Sequence, residues 1–196
     1  MKKMLVLSII QFFLADIYCQ SEATDVIKLT IYQPGLSYEK AIGRLQTLYG
    51  QLYGGSSIGY SYSGSFGSTF YFSINPAATL QYRYYYNSKK RAEHGKRTAL
   101  NSMNYIAGVY ETIYTNAAVF EGYVAEEKDR FVNSLGVGWG FQRNYPKRFS
   151  LDLVTGLSYV FAKSTLLSGS EKITENHGEL RVMIMFNIGI WLNKKR

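Results

Sequence analysis

The sequence predicts an all-β protein: an eight-stranded antiparallel up-and-down transmembrane β-barrel, preceded by a cleavable signal peptide. Three observations carry this expectation. Residues 178–196 set Leu180, Val182, Ile184, Phe186, Ile188, Ile190 and Leu192 against Arg181, Met183, Met185, Asn187, Gly189 and Trp191. That period of two, over about a dozen residues, marks a strand with two unlike faces, long enough for a tilted membrane crossing of ~9–11 residues. Eighteen Tyr and eighteen Gly stand beside only three Pro, and no long apolar run comes after residue 19. Such a composition suits many strands with aromatic ends better than membrane helices. Finally, Lys2 and Lys3 precede an apolar core over 4–14 and a short cleavage region ending at Cys19, the layout of a secretory leader.

The expected domains are therefore a signal peptide over 1–19 and a barrel over 20–196. Removal of Cys19, the sole cysteine, leaves a chain without disulfides, so stability must come from the fold itself. The formal charge of +8 is compatible with nucleic acid or with an anionic lipid surface. Export favours lipid, and no stacking platform or groove-reading element accompanies the basic residues, so no nucleic-acid partner is expected.

Taken in order, residues 26–32 alternate, with Ile27, Leu29 and Ile31 opposite Lys28, Thr30 and Tyr32. A turn at Gln33–Pro34–Gly35 comes next, since Pro and Gly supply restricted and permissive backbone positions. Residues 36–42 set Leu36, Tyr38 and Ile42 against Ser37, Glu39 and Ala41, and 45–54 set Leu48 and Leu52 against Thr47, Tyr49 and Gln51. The Gly/Ser/Tyr-rich stretch 56–68 reads as a flexible loop or an aromatic contact loop. Residues 70–87 place Leu80, Tyr82, Tyr84 and Tyr86 opposite Thr79, Gln81, Arg83 and Tyr85, with Pro76 limiting the regular ladder to the residues after it.

A basic link over 87–102 leads to a strand over 103–114, then to an acidic loop over 115–129. Residues 131–142 alternate Leu135, Val137, Trp139 and Phe141 with Ser134, Gly136, Gly138, Gly140 and Gln142. After a turn at Asn144–Lys147, residues 151–161 oppose Leu151, Leu153, Leu157, Tyr159 and Phe161 to Asp152, Gly156 and Ser158. A polar loop is expected over 163–177, before the closing strand.

A soluble lipocalin-like barrel shares this alternation but keeps its apolar face inside. Here the opposite face is rich in Gly and carries charge, poor lining for a greasy pocket. The registers collect Lys28, Arg83 and Arg181 with Glu39, Glu111 and Asp152 on the inner face. An eight-stranded lumen is just wide enough for side chains to fill, so these six are the proposed lumen charge network, pairing with one another to plug it.

With its leader, eight alternating strands and terminal strand near the chain end, the sequence resembles the small outer-membrane β-barrels of the OmpA/OmpX type. Residues 34–43 (PGLSYEKAIG) and 81–91 (QYRYYYNSKKR) are similar to segments of Gram-negative members. The family's terminal sorting signal is matched over residues 187–193, but Lys194 stands where the family has an aromatic. The resemblance implies a Gram-negative outer-membrane location, with outer-membrane lipid and the barrel-insertion machinery as partners. It also implies a structural or surface-interaction role through external loops, and no enzyme activity. The long basic link, Lys147–Arg148 and the terminal Lys194–Lys195–Arg196 would then face the periplasm, and the acidic loop 115–129 the exterior.

The alternatives are a narrow channel for small solutes and a secreted soluble ligand-binding barrel. Chemistry has little support. His94 and His177 are the two histidines, and His177 near Ser168, Ser170 and Glu175 is the one arrangement resembling a hydrolytic set. No His or Cys pair has metal-ligand spacing, and neither cofactor nor metal is expected.

Overall fold

The computed structural model describes residues 23–63, 67–168 and 171–193, so the expected leader and the final Lys194–Lys195–Arg196 lie outside the described residues. Eight strands run up and down: β1 (Val26–Thr30), β2 (Gly35–Gly43), β3 (Gln46–Ser63), β4 (Gly67–Tyr85), β5 (Asn104–Thr115), β6 (Arg130–Asn144), β7 (Phe149–Ser168) and β8 (Glu171–Trp191). Each pairs antiparallel with its chain neighbours, and β1 pairs with β8 to close the ring. The link between β4 and β5 carries a short helix, α1 (Ser88–Glu93), and a 3-10 turn, Ala99–Asn101.

Alternation dictates the faces. Leu135, Val137 and Ile184 are 60%, 66% and 69% exposed, whereas Glu39, Arg83 and Gln142 are fully buried. The apolar set of nearly every strand points out of the cylinder and the polar set points in, the inverse of a soluble barrel's arrangement.

Two expected loops prove to be strand. Residues 56–63 extend β3 and pair with 67–74 of β4, and residues 163–168 pair with 171–176 of β8. Composition masked the first, because Gly and Ser hide an alternation in which Ile58, Tyr60 and Tyr62 recur every second residue. Nor does Pro76 limit this ladder, which runs through it opposite Gly54; only the pairing with β5 waits until Ala77. The second expected loop is mostly polar in sequence, and of its described residues Ser164 and Thr165 are buried. Its backbone groups are satisfied by the paired strand rather than by burial. The links after β3 and β7 are consequently short, leaving 116–129 as the long connection at that end. The link over 87–102 is not structureless, since it holds α1 and the 3-10 turn.

The first and last described residues gather at one end of the cylinder, here the terminal end, where Asn193 Nδ2 donates to Asp25 O, and the long hairpins lie at the other, the hairpin end. The terminal end is capped by the turn at 99–101. Leu100 and Asn101 sit at φ +55° and +60°, left-handed conformations that cost non-glycine residues on the order of 1–3 kcal/mol each. They are held by contacts from three directions. Leu100 O accepts from Gln142 Nε2 (3.2 Å) and Asn144 Nδ2 (2.5 Å). Asn101 exchanges two 2.8 Å bonds with the Thr24 backbone.

At the hairpin end the segment 116–129 folds over the mouth. Val124 N donates to Thr165 O at 3.0 Å, and the Glu126 carboxylate accepts from Thr165 N and Oγ1 at 2.7 and 2.9 Å. Phe120 is buried there against Val132 and Ala162.

Two glycines test how tightly the wall is drawn. Gly156 faces Gly138 directly, and a Cβ built on it would lie 2.1 Å from Val137 O and 2.5 Å from Gly138 Cα. Gly108 has nothing within 4 Å of such a Cβ. In urea unfolding of the purified protein, Gly156→Ala is expected to cost about 1–3 kcal/mol through overpacking. Gly108→Ala should be neutral or stabilising by up to about 1 kcal/mol.

Asp25, just ahead of β1, accepts from Lys40 Nζ (2.8 Å), Ala41 N (2.9 Å) and Tyr38 OH (2.9 Å). The Lys40 bond, followed by that from Ala41, holds its carboxyl below the usual range. A depressed carboxyl contributes stability above its unfolded pKa and loses it as pH falls through the folded value. Asp25→Asn should therefore narrow the stability gap between wild type and variant on acidification, read as converging urea midpoints below pH 4 or so.

Candidate functional site

Among the described residues, the lumen is the one place where charge is both concentrated and dry. Lys28 on β1, Glu39 on β2, Arg83 on β4 and Asp152 on β7 are all inner-face residues of their strands, each at most 3% exposed. Arg83 Nη1 donates to Asp152 Oδ2 at 2.8 Å, and Lys28 Nζ reaches the same oxygen at 3.2 Å. Asp152 Oδ1 accepts from Tyr105 OH at 2.6 Å.

Glu39 meets no cation directly. Its oxygens accept from Thr47 Oγ1 (2.7 Å), Tyr85 OH (2.5 Å) and Gln142 Nε2 (3.0 Å). Gln142 ties the groups together, because its Oε1 accepts from both Lys28 Nζ (2.5 Å) and Arg83 Nη1 (2.9 Å). Two cations and two carboxylates therefore form one connected set, with the partners that buried charge requires.

The Arg83 guanidinium lies over two rings, 3.8 Å from the centroid of Tyr49 and 4.4 Å from that of Tyr105. Close contact with aromatic rings suits Arg better than Lys. Gln81 Oε1 accepts from its Nε at 2.9 Å, so the head is held by two rings and an amide. The result is a plug spanning the narrow cylinder.

The other two residues of the expected network sit elsewhere. Glu111, on β5, accepts a hydrogen bond from Tyr53 OH. Arg181, on β8, pairs with Glu179 two residues earlier, donates to Val119 O at 2.6 Å and lies over the Phe120 ring. Both are nearer the hairpin end, beyond the reach of the plug. Inner-face membership was readable from alternation, but height along the cylinder depends on strand stagger, which alternation does not encode.

Sequence reasoning passed over Gln142, Tyr49, Tyr85 and Tyr105 as network members, though all but Tyr105 stood on inner-face sets. Counting formal charges hid them, since a neutral amide and the phenols of Tyr85 and Tyr105 supply much of the hydrogen bonding, and Tyr49 supplies a ring. It also missed an apolar inner layer in which Met103, Val109, Val154, Met183 and Met185 pack beside Tyr85 and Tyr105. His177 has a structural setting: its Nδ1 lies 3.0 Å from Tyr123 OH, which donates to Glu175 at 2.6 Å, and its ring packs on Phe120. Ser170 lies outside the described residues.

Between plug and roof is a cavity of about 440 Å³, lined by Tyr53, Glu111, Val132, Ser134, Val160 and Arg181 among others. The lumen is thus dense in its terminal half and hollow in its hairpin half. No protein-family model, curated protein or solved structure matches the chain, so the functional reading rests on this geometry.

Removing one partner of a buried charge set is costly, about 3–5 kcal/mol. Arg83→Met should lose stability of that order in urea titration. The double variant Arg83→Met/Asp152→Leu restores charge balance and should lose clearly less than the two single losses combined, a coupling between contacting residues.

Proposed function

We propose that this chain is an integral outer-membrane β-barrel with a plugged polar lumen, acting as a structural or surface-interaction protein through its hairpin end. One observation carries the reading: a belt of outward apolar side chains surrounds a buried set of balanced charges. A protein with water outside would expose Leu52, Val137, Val182 and Ile184, each 66–71% accessible, at large cost in hydrophobic free energy. Hydrocarbon removes that cost. Where β1 and β8 pair, closing the sheet on itself meets the second demand of a bilayer, that backbone groups be paired within the protein.

Aromatic placement supports the same reading. Tyr82, Tyr84, Tyr86 and Trp139 lie outward toward the terminal end of their strands, Trp139 Nε1 donating to Tyr86 OH at 2.6 Å. Such rings favour the boundary between hydrocarbon and water. Lys89, Lys90, Arg91, Lys96 and Arg97 cluster in the link at that end, while Glu121, Glu126, Glu127 and Asp129 lie in the loop at the other. We assign the basic end to the periplasm and the acidic loop to the exterior.

The plug argues for a non-conducting body over a channel, because Arg83 and its two flanking rings occupy the axis. The lipocalin-like alternative requires an apolar interior, whereas the centre here holds four charges.

The test uses protein taken from the envelope of its native host. It should partition with outer membranes, require detergent, and migrate faster unboiled than boiled on a denaturing gel. Planar bilayers should show no steady conductance. Recovery in the soluble fraction would overturn the membrane reading, and sustained open events would overturn the plugged lumen.

A further inference from the structure

We propose that the barrel wall has a lateral opening between β8 and β3, through which a phospholipid acyl chain reaches the lumen cavity. This rests on the outer-membrane reading. The first hairpin is too short to complete the wall. β1 pairs only with Gly189, Ile190 and Trp191 of the 21-residue β8, and Ile31 N to Ile188 O is the last bond of that seam. On the other side, β2 accompanies β3 only as far as Tyr53, with Gly54 N donating to Pro34 O. Beyond this turn, among the described residues, neither β8 nor β3 has a ladder partner on the side facing the other. The missing hairpin leaves three interstrand spacings, roughly 14 Å of wall.

The cavity borders this gap. Met183 and Met185 point into the lumen, while Val182 and Ile184 point out, yet all four line the same cavity, with Gln33 of the turn and Gly55 of β3. The strands with partners on both sides lend the cavity inner-face residues only, so the consecutive run from β8 marks its free edge as the cavity's border. The plug closes one end of this space and the segment 116–129 covers the other, so its way out is sideways.

The opening lies at the depth of the apolar belt. On their intact side, residues 180–184 of β8 pair with 155–159 of β7, where Leu157 and Tyr159 face outward and are about half exposed. The surroundings of the opening are therefore hydrocarbon. Free backbone edges at that depth are tolerated where they line a polar cavity, and Glu111, Ser134, Ser158 and Arg181 provide one. Val132, Val160 and the two methionines supply an apolar wall, the methionines being adaptable in shape. About 440 Å³ falls within the ~300–1,000 Å³ of small-molecule sites. A strand from a second copy would pair with the edges but would leave the interior space behind it unfilled, so the acyl chain is the occupant the geometry favours.

The experiment places the full chain in phosphatidylethanolamine and phosphatidylglycerol vesicles with a trace of phospholipid carrying a photoreactive group on its acyl chain. After illumination, adducts are mapped by peptide. Adducts are expected on inward Met183, Met185 and Val160 as well as on outward Leu135 and Val137. Val160→Trp and Ala118→Trp, each filling the cavity from a different element, should lower the inward adducts about fivefold or more and leave the outward ones unchanged. Outward adducts alone, or copies cross-linked through β8 with the lumen unlabelled, would overturn the opening while sparing the membrane reading. Absence of adducts at Leu135 and Val137 would instead remove the membrane reading, and the opening with it.

Discussion

The fold depends on a constraint of balance: charges taken out of water inside a narrow cylinder must satisfy one another. Arg83, Lys28, Asp152 and Glu39 come from four strands distributed around the ring, so their mutual bonds fix those strands' relative heights as well as stabilising the centre. Gln142 matters here beyond its neutral charge. Its amide accepts from both cations and donates to Glu39, converting two separate pairs into one set. A core of this kind is specific because most of its wrong registers leave a buried charge without a partner.

The same constraint explains why the two halves of the lumen differ. The terminal half is filled by the charged set, Tyr49, Tyr85, Tyr105 and Met103, and capped by a turn holding two left-handed residues in place. The hairpin half contains a cavity under a folded loop, and its wall is interrupted where β1 and β2 stop. Density at one end fixes the ring, freeing the other end from the demand of complete closure. Long β3–β4 and β7–β8 ribbons extend past the interruption, and the acidic loop is tied to the second of these through Glu126 and Thr165.

Much of this architecture was legible in the chain. Strict alternation in residues 131–142 and 178–192 gave strand, face and sidedness together, because period two leaves no freedom once one face is chosen. Arg83 and Asp152 were readable as inner-face charges for the same reason. Three features were not legible. Ser, Gly and Tyr between 56 and 68 read as loop because composition obscured their period. The polar ribbon at 163–177 gave no amphipathic signal because its buried positions, Ser164 and Thr165, are themselves polar. Stagger, which separates Glu111 and Arg181 from the plug and stops the first hairpin short, depends on ladders between strands distant in sequence.

Sidedness is the claim on which the rest stands, and a spin-label scan tests it most directly. With Cys19 replaced by Ser, single cysteines at each position from 134 to 141 are labelled in turn, and the protein is reconstituted in vesicles. Collision with oxygen, which concentrates in hydrocarbon, is compared with collision with a water-soluble nickel complex. The expected result is a period of two in oxygen accessibility, with maxima at Leu135, Val137, Trp139 and Phe141. Maxima at Ser134, Gly136, Gly138 and Gly140, or high nickel accessibility at Leu135 and Val137, would contradict an apolar surface facing lipid.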